Sequence, residues 1–327
     1  MTQDNEQRID LTDFSAKISA LKTQIAQVVV GQTEAVDLIL TAILADGHVL
    51  IEGVPGVAKT LLAKLLSRLI DARFSRIQFT PDLMPSDVLG TTVYDMQSGE
   101  FHFHAGPVFA DVILVDEINR APAKTQAALF EVMEERQASI DGTTHKMGPL
   151  YTILATQNPV EQEGTYKLPE AQLDRFLMKV VMSYPTVDDE IEILRRHHEQ
   201  SMTVRLDSVA PILTVDELLH MRSLLNKVYV EETLLRYIAL VVEQTRTSRV
   251  VFLGASPRAS VAILQASKAH ALLSGRDFVT PEDIKFVAPA VLQHRLLLTA
   301  EAEMEEQTPG KVARQLLDKV EVPVRSE

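Results

Sequence analysis

One short segment constrains the fold of this chain more than any other. Residues 48–60 read HVLIEGVPGVAKT. The apolar run at residues 49–51 is too short for a helix and is rich in strand-forming side chains. A glycine-rich stretch at residues 53–56 ends this run, and leucines at helical spacing follow it. The order of strand, glycine-rich loop and helix is the context that a phosphate-binding loop requires.

The residue types in this loop suit an anionic ligand. Backbone N–H groups of the loop and of the helix N-terminus attract phosphate, and the helix dipole adds to the attraction. Lys59 would reach the β- and γ-phosphates of a nucleotide, and Thr60 would offer its hydroxyl to Mg²⁺. An ordinary glycine turn before a core helix is the alternative. The predicted nucleotide contacts are Gly53, Val54, Pro55, Gly56, Val57, Ala58, Lys59, Thr60 and Leu61.

Ala58 stands where the general phosphate-loop pattern has a second glycine. A methyl group costs little there if the backbone φ is negative, and roughly 1 kcal/mol if the residue is left-handed. The backbone N–H is present in either case. The departure therefore removes no phosphate contact that the backbone provides.

A second signal lies at residues 111–117, which read DVILVDE. Four consecutive apolar residues predict a buried strand, and two carboxylates follow it. Asp116 is placed to hold Mg²⁺ through the water shell of the ion, and Glu117 to polarise an attacking water or accept its proton. The alternative is an acidic strand-to-helix turn, because carboxylates also favour helix starts. A phosphate-binding loop upstream favours the catalytic interpretation.

Three further polar residues follow predicted strands or begin predicted helices. Asn158, in the segment that follows the predicted strand YTILA at residues 151–155, would orient the attacking water, or it belongs to a common Asn-Pro turn. Arg175 is either the partner of Asp174 in an ion pair at a helix end, or an arginine finger for the nucleotide of a neighbouring subunit. Arg258 begins a helix, where the dipole disfavours a cation. That placement indicates an anionic partner or a plain surface arginine.

Two regions near these signals have weaker interpretations. Gly31 and Gln32 separate two predicted helices and form either a simple turn or a contact to adenine. Residues 80–109 are too long and too rich in Pro, Gly and Asp for a plain connection, so we predict a functional insertion with a hairpin near residues 97–100. His102 and His104 share a face of that hairpin, where exposed histidines are favoured over a metal site.

The composition of the chain changes near residue 186. Residues 1–186 alternate strand and helix patterns, and residues 187–300 are mainly helical. Helix caps are predicted at Thr214, three residues before Glu217, and at Thr280, which precedes a proline. Residues 301–327 form an acidic tail that is either docked or partly disordered. We therefore predict an α/β domain, a helical domain and a tail.

Composition narrows the class of protein further. The formal net charge is −13, aromatic residues make up 5% and tryptophan is absent, which disfavours nucleic acid and anionic lipid as partners. There is no cysteine for a disulfide or a thiolate metal site. The polar N-terminus is unlike a signal peptide, and no run is long enough to span a membrane. These features together predict a cytoplasmic protein.

Taken together, the strings GVPGVAKT, VILVDEINRAP, ATQNP, LPEAQLDRF and GASPRAS resemble the MoxR family of AAA+ ATPases. The resemblance covers roughly residues 30–289. It implies a P-loop AAA+ core with a parallel sheet flanked by helices, and a C-terminal all-α lid domain. It also implies a helix-2 insert at residues 81–109 and a hairpin before sensor 1 at residues 137–151. Alanine at position 58 is usual in such proteins.

The resemblance further implies a role for each candidate residue. These roles are Walker A for Lys59 and Thr60, Walker B for Asp116 and Glu117, sensor 1 for Asn158, arginine finger for Arg175, sensor 2 for Arg258, and adenine contact for Gly31 and Gln32. The implied ligands are ATP and Mg²⁺, with Thr60 and Asp116 at the metal. The implied assembly is a hexameric ring with nucleotides at the subunit interfaces.

Proteins of this family are expected to remodel or activate separate partner complexes, often through von Willebrand A domain proteins, and some assist metal or cofactor insertion. Three other functions stay open. They are a metal-chelatase-like motor subunit, a nucleic-acid motor, and a scaffold that binds ATP and barely hydrolyses it. The negative charge argues against the nucleic-acid motor, and the complete set of catalytic residues argues against the scaffold.

Overall fold

The computed structural model describes residues 9–54, 56–158, 166, 168–198 and 209–322. The helices of the first half are α1 Thr12–Val28, α2 Thr33–Leu44, α3 Lys59–Leu69, α4 Pro85–Leu89, α5 Ala123–Glu135 and α6 Glu170–Leu173. The strands there are β1 Val49–Gly53, β2 Phe74–Gln78, β3 Gly90–Asp95, β4 Glu100–Ala105, β5 Val112–Asp116, β6 Gln137–Ile140, β7 Thr143–Lys146, β8 Thr152–Gln157 and β9 Met178–Met182.

The second half is mainly helical, as the sequence predicts. Its helices are α7 Val187–His198, α8 Val215–Ser223, α9 Glu232–Thr247, α10 Pro257–Leu273, α11 Pro281–Leu292, α12 Ala300–Met304 and α13 Pro309–Lys319. The short strands β10 Val251–Leu253 and β11 Leu297–Leu298 pair with each other. Across the described residues, no helix combines the length and the apolar character needed to cross a membrane.

A parallel sheet forms the centre of the first half. Among the described strands, five pair in the order β2-β5-β8-β1-β9, and every neighbouring pair is parallel. The predicted core strands are therefore confirmed. Because the strands are parallel, their carboxyl ends lie along one edge of the sheet. Gly53, Asp116 and Gln157, the last residues of three adjacent strands, meet at that edge.

Alternating side chains of the sheet serve two cores. Val49 and Ile51 of β1 face the core built with α1, α2, α3 and the helical half. Leu50, between them, faces a second core that includes Phe130 of α5. The sheet is thus covered on both sides, which explains why β5 is apolar at every position before Asp116.

Two hairpins leave this sheet, at the places that the sequence predicts. In the insertion, α4 is followed by β3 and β4, which pair antiparallel. Strands β6 and β7 pair around Asp141 and Gly142, whose φ values of 49° and 81° suit a tight two-residue turn. His102 of β4 lies 3.2 Å from Ser98 Oγ through its Nε2. The part of the chain that is described has no group of three or more His, Asp or Glu side chains able to hold a metal ion.

The helical half begins each of two helices with a predicted cap. Thr214 accepts a hydrogen bond from the backbone N–H of Glu217, and Thr280 forms the corresponding reciprocal pair with Asp283. Of the acidic tail, α12 and α13 are helical, and Val312 and Leu316 of α13 are buried. Helix α13 packs against α9 and α11. This part of the tail is docked, and residues 323–327 lie outside the described chain.

A buried carboxylate joins α10 to α11. Asp283 is fully buried, and Arg276 donates to its two oxygens at 2.7 and 2.6 Å. His270 Nδ1 lies 2.6 Å from Oδ1, and the Thr280 N–H donates to Oδ2 at 2.8 Å. Burial alone would raise the pKa of the Asp283 carboxyl, but the hydrogen bonds from Arg276, His270 and Thr280 hold it well below its ordinary value.

Replacing Asp283 with asparagine should lower the free energy of unfolding by about 2–3 kcal/mol at neutral pH, because Arg276 loses its buried partner. A carboxyl with a depressed folded-state pKa stabilises the fold above its unfolded pKa, and this contribution is lost as pH falls through the folded value. The difference between wild type and Asp283→Asn should therefore shrink below about pH 4. Urea unfolding at several pH values measures it. Asp277→Asn is the control, and an equal effect of both substitutions would contradict the assignment.

Candidate functional site

The glycine-rich loop joins β1 to α3 at the carboxyl edge of the sheet. Strand β1 ends at Gly53, and α3 begins at Lys59. Ala58 is the N-cap of α3 and has φ 61° and ψ 23°, so the left-handed alternative is the one observed. Among the residues that the structure describes, no side chain caps this helix start. The first N–H groups of α3 are consequently available to an anion.

The two glycines of the loop differ in the space around them. A Cβ on Gly53 would lie 2.7 Å from the Met182 carbonyl oxygen, so glycine is required for the approach of β9. Gly56 has φ 89°, and a Cβ there would meet nothing within 4 Å. Pro55 lies outside the described residues. An uncapped helix start beside open space suits a phosphate group.

The side chains of this loop divide into two sets. Val57 is buried in the core of the domain, and Val54 and Leu61 are partly buried against it, so these three side chains serve packing first. Lys59 Nζ donates to the Gly53 carbonyl oxygen at 2.7 Å and folds across its own loop. Thr60 lies half-buried in the first turn of α3. Lys59 and Thr60 are therefore the loop residues whose side chains can serve a phosphate and its counter-ion.

The carboxylate of Asp116 is enclosed at the end of β5. Asp116 is 7% exposed, and both of its oxygens are engaged. Thr156 donates its hydroxyl to Oδ1 at 3.2 Å, and Arg76 Nε donates to Oδ2 at 2.7 Å. Thr156 also accepts the backbone N–H of Glu117 at 3.0 Å. Strand β8 thus holds the end of β5 through one hydroxyl group.

Glu117 follows Asp116 in a left-handed conformation, with φ 57°. The left-handed conformation ends β5 at Asp116, so Glu117 leaves the direction of the strand. Gln78 Nε2 donates to Glu117 Oε2 at 2.7 Å, and Arg120 Nε lies 3.3 Å from the same oxygen. The carboxylate is accessible to solvent and is held from two sides. It can accept a proton once those contacts are exchanged for a water molecule.

Asn158 follows β8 directly and lies half-buried at the same edge as Gly53 and Asp116. The fold therefore brings the loop, the two carboxylates and this amide to neighbouring strand ends. Both interpretations of Asn158 from the sequence place it at a strand end, and only the sheet order makes that end a neighbour of Asp116. Binding of a nucleotide at this edge would place Asn158 beside it.

Arg175 forms an ion pair that the sequence pattern does not predict. Its guanidinium donates to the Phe130 carbonyl oxygen and lies 2.6 Å from Glu134 Oε2, both on α5. Its neighbour Asp174 contacts Arg295 at 2.7 Å instead. The alternative of an Asp174–Arg175 ion pair is wrong, because the chain turns between these residues and sends the two side chains to different elements.

Arg258 lies in the first turn of α10 and is largely exposed. Nη1 of Arg258 is 3.5 Å from Asp174 Oδ2. The α/β half of the chain therefore supplies an anionic partner for this arginine. Arg295, from the segment after α11, also donates to the carbonyl oxygens of Phe176 and Leu177 at 2.8 and 3.1 Å. Arg258 and Arg295 connect the helical half to Asp174.

Gly31 and Gln32 lie between α1 and α2, beside a cavity. Gln32 is 8% exposed, and its Nε2 donates to the Ser183 carbonyl oxygen at 3.0 Å. The cavity measures about 450 Å³ and is also lined by residues of α11 and α13. A second cavity of about 440 Å³ reaches Gln157 and Asp174. Lys179 and Gln293 line both, so one cleft separates the sheet edge from the helical half.

Four residues of this region escaped the sequence analysis: Arg76, Gln78, Thr156 and Arg295. Arg76 and Gln78 alternate on β2, and Gln78 stands opposite Asp116 in the ladder. Alternation shows that they share a face, but nothing in the sequence places β2 beside β5. Thr156 lies in the string ATQNP, two residues before Asn158. Its hydroxyl, close in sequence to a predicted site residue, was the feature that could have indicated a role.

Comparison with known proteins agrees with this geometry. The family described as ATPase family associated with various cellular activities (AAA) matches residues 48–178, and the AAA lid domain matches residues 243–316. The chaperone MoxR1 of Mycobacterium tuberculosis is 45% identical over 310 residues, which span 92% of this chain and 81% of that protein. The chain belongs to the MoxR family of AAA+ ATPases. The fold class predicted from the sequence is confirmed.

Two other matches cover nearly the whole chain. The uncharacterized protein YeaC of Bacillus subtilis is 42% identical over 301 residues, 92% of this chain and 93% of its own. A crystal structure of a candidate ATPase from Cytophaga hutchinsonii superposes with a TM-score of 0.88 at 41% identity, covering 96% of this chain and 97% of that one. The likeness extends over both the α/β half and the helical half.

The left-handed Ala58 generates a prediction about stability. Ala58→Gly should raise the free energy of unfolding by up to about 1 kcal/mol, because glycine tolerates positive φ without the cost of a Cβ. Ala63→Gly, inside the same helix and fully buried, should lower it by about 1 kcal/mol or more. Urea unfolding of both variants gives the comparison. Destabilisation by Ala58→Gly comparable to that of Ala63→Gly would contradict the observed backbone conformation.

Proposed function

We propose that this MoxR-family protein binds ATP with Mg²⁺ and hydrolyses it at the carboxyl edge of the sheet. One observation carries the proposal: the uncapped start of α3, the carboxylates of Asp116 and Glu117, and Asn158 lie at adjacent strand ends. Phosphoryl transfer needs little more than positioned donors, a cation and a group that activates water. Each of these has a residue at this edge.

In this proposal each residue performs one task. The N–H groups of the loop and Lys59 bind the phosphates, while Thr60 and Asp116 hold Mg²⁺, which would supply charge stabilisation when bound. Mg²⁺ commonly keeps waters and takes one or two carboxylates plus phosphate oxygens, so Asp116 as its sole carboxylate is sufficient. Glu117 accepts a proton from the attacking water, and Asn158 orients that water. Gly31 and Gln32 border the adenine, in the cleft that α11 and α13 help to line.

Arg175 is proposed to act on the nucleotide of a neighbouring subunit in a hexameric ring. In the isolated chain its guanidinium is 29% exposed and pairs with Glu134. To reach a neighbour it must exchange that partner for phosphate, an exchange of one anion for another that costs little net free energy. Arg258 would contribute a second cation from the helical half. In this proposal the set of catalytic residues is complete only at an interface between two subunits.

We further propose that hydrolysis drives remodelling of a separate partner protein. This partner either contains a von Willebrand A domain or receives a metal or cofactor. The name of the Mycobacterium relative, a chaperone, supports the general role. The hairpin of β3 and β4 adds a physical reason, because Met96 is 90% and Phe101 72% exposed at its tip. Apolar side chains exposed together favour contact with another protein.

Two substitutions separate nucleotide binding from hydrolysis. Lys59→Ala should abolish binding of a fluorescent ATP analogue, because the loop loses its only side-chain cation toward the phosphates. Glu117→Gln should bind the analogue as wild type does. It should release phosphate roughly 10²–10⁴-fold more slowly, because a general base contributes a rate factor of that size. Equilibrium binding and phosphate release measure both. Hydrolysis by Glu117→Gln at the wild-type rate would contradict the role of Glu117.

A mixing experiment tests whether Arg175 acts between subunits. Arg175→Ala and Lys59→Ala should each be inactive alone, because one lacks the finger and the other lacks nucleotide. Mixed rings should regain activity, since intact Arg175 then meets intact loops at some interfaces. Mass photometry shows whether mixed rings form. If they form and phosphate release stays at the level of the single variants, the proposal of an interfacial arginine is wrong.

A further inference from the structure

Strand β2 presents two polar side chains to the candidate metal site. Arg76 and Gln78 lie two residues apart on β2 and therefore project from the same face. In the parallel ladder with β5, Arg76 stands opposite Leu114 and Gln78 opposite Asp116. Arg76 Nη2 donates to Gln78 Oε1 at 3.3 Å, which keeps the two side chains together. The guanidinium is thereby directed toward the end of β5.

Arg76 supplies the charge that the Asp116 carboxylate needs. Asp116 is 7% exposed, and its Oδ1 already accepts the Thr156 hydroxyl. A carboxylate so far from water is costly unless a cation or several donors compensate it. The guanidinium provides this compensation through Nε, 2.7 Å from Oδ2. Arg76 thus lowers the free-energy cost of burying the Asp116 carboxylate.

A divalent cation would compete with this guanidinium. Mg²⁺ held by Asp116, directly or through its waters, needs carboxylate lone pairs and places two positive charges a few ångströms from the same oxygens. Both oxygens are engaged, and Arg76 is a cationic partner of one of them. The Arg76 side chain is 47% exposed, against 10% for that of Asp116, so the arginine can move into solvent while the carboxylate stays.

We propose that Arg76 is a displaceable counter-ion of Asp116, which occupies the carboxylate until Mg²⁺ enters with the nucleotide and then leaves it. This inference rests on the proposed function, because it assumes that Asp116 serves Mg²⁺. It assigns to β2 a role that the sequence analysis did not give it. Arg76 stabilises the nucleotide-free site and raises the Mg²⁺ concentration that the site requires.

The test measures nucleotide affinity as a function of free Mg²⁺. Fluorescent mant-ADP is titrated into the full-length protein in EDTA and at increasing Mg²⁺. In Arg76→Gln, which keeps a hydrogen-bond donor without the charge, the Mg²⁺ midpoint of tight binding should fall roughly three- to tenfold. The affinity in EDTA should stay at the wild-type value, since the substitution leaves the loop and Lys59 intact.

Arg73→Gln is the matched control. Arg73 precedes the same strand and donates to Asp111, at the opposite end of β5, at 2.7 and 3.0 Å. Its substitution removes a similar ion pair away from the candidate site, so the Mg²⁺ midpoint should equal that of wild type. Arg76→Lys, which restores the charge, should return the midpoint most of the way toward the wild-type value.

Thermal unfolding gives a second readout that does not involve nucleotide affinity directly. Arg76→Gln should lower the melting temperature of the nucleotide-free protein more than that of the protein saturated with Mg²⁺ and ADP, because the ion pair exists only in the first state. An unchanged or higher Mg²⁺ midpoint in Arg76→Gln would overturn the inference alone. If wild type showed no Mg²⁺-dependent binding of mant-ADP, the proposed function would fail and this inference with it.

Discussion

The parallel pairing of the central strands is the constraint on which the rest of the structure depends. Parallel strands end along one edge, so residues far apart in the chain become neighbours there when their strands pair. Gly53, Asp116 and Asn158 are separated by tens of residues and yet follow or end strands of one ladder. The apolar faces of the sheet keep this edge in place, because the three central strands β1, β5 and β8 are buried on both sides.

Two ion pairs within the chain engage charged side chains of the candidate site. Asp116 holds Arg76, and Arg175 holds Glu134. A nucleotide with its metal would meet two kinds of group at this site: the open N–H groups at the start of α3, and side chains that already have a partner. Exchange of one ion pair for a similar one replaces a charge interaction with another of the same kind. A site built in this manner is suited to a protein that cycles between ligand states.

The two halves of the chain meet at Asp174. Arg295 is nearly buried and donates to this carboxylate and to backbone carbonyls around it, whereas Arg258 reaches the same carboxylate from the exposed start of α10. Burial lowers the pKa of Arg295, and Asp174 opposes that effect. The buried arginine thus holds the helical half in position, while the exposed one is free to exchange partners beside the cleft.

The sequence by itself determined the features that depend on neighbouring residues: the strand–loop–helix at residues 48–60, the two carboxylates at the end of β5, the caps at Thr214 and Thr280, and the tight turn at Asp141. Periodicity, turn chemistry and capping act over a few residues, so a linear pattern contains them. Only the tertiary structure decided that β2 lies beside β5, that Arg175 turns to α5, and that α13 docks on the helical half. Each of these depends on pairing between distant segments, and many pairings satisfy the same local pattern.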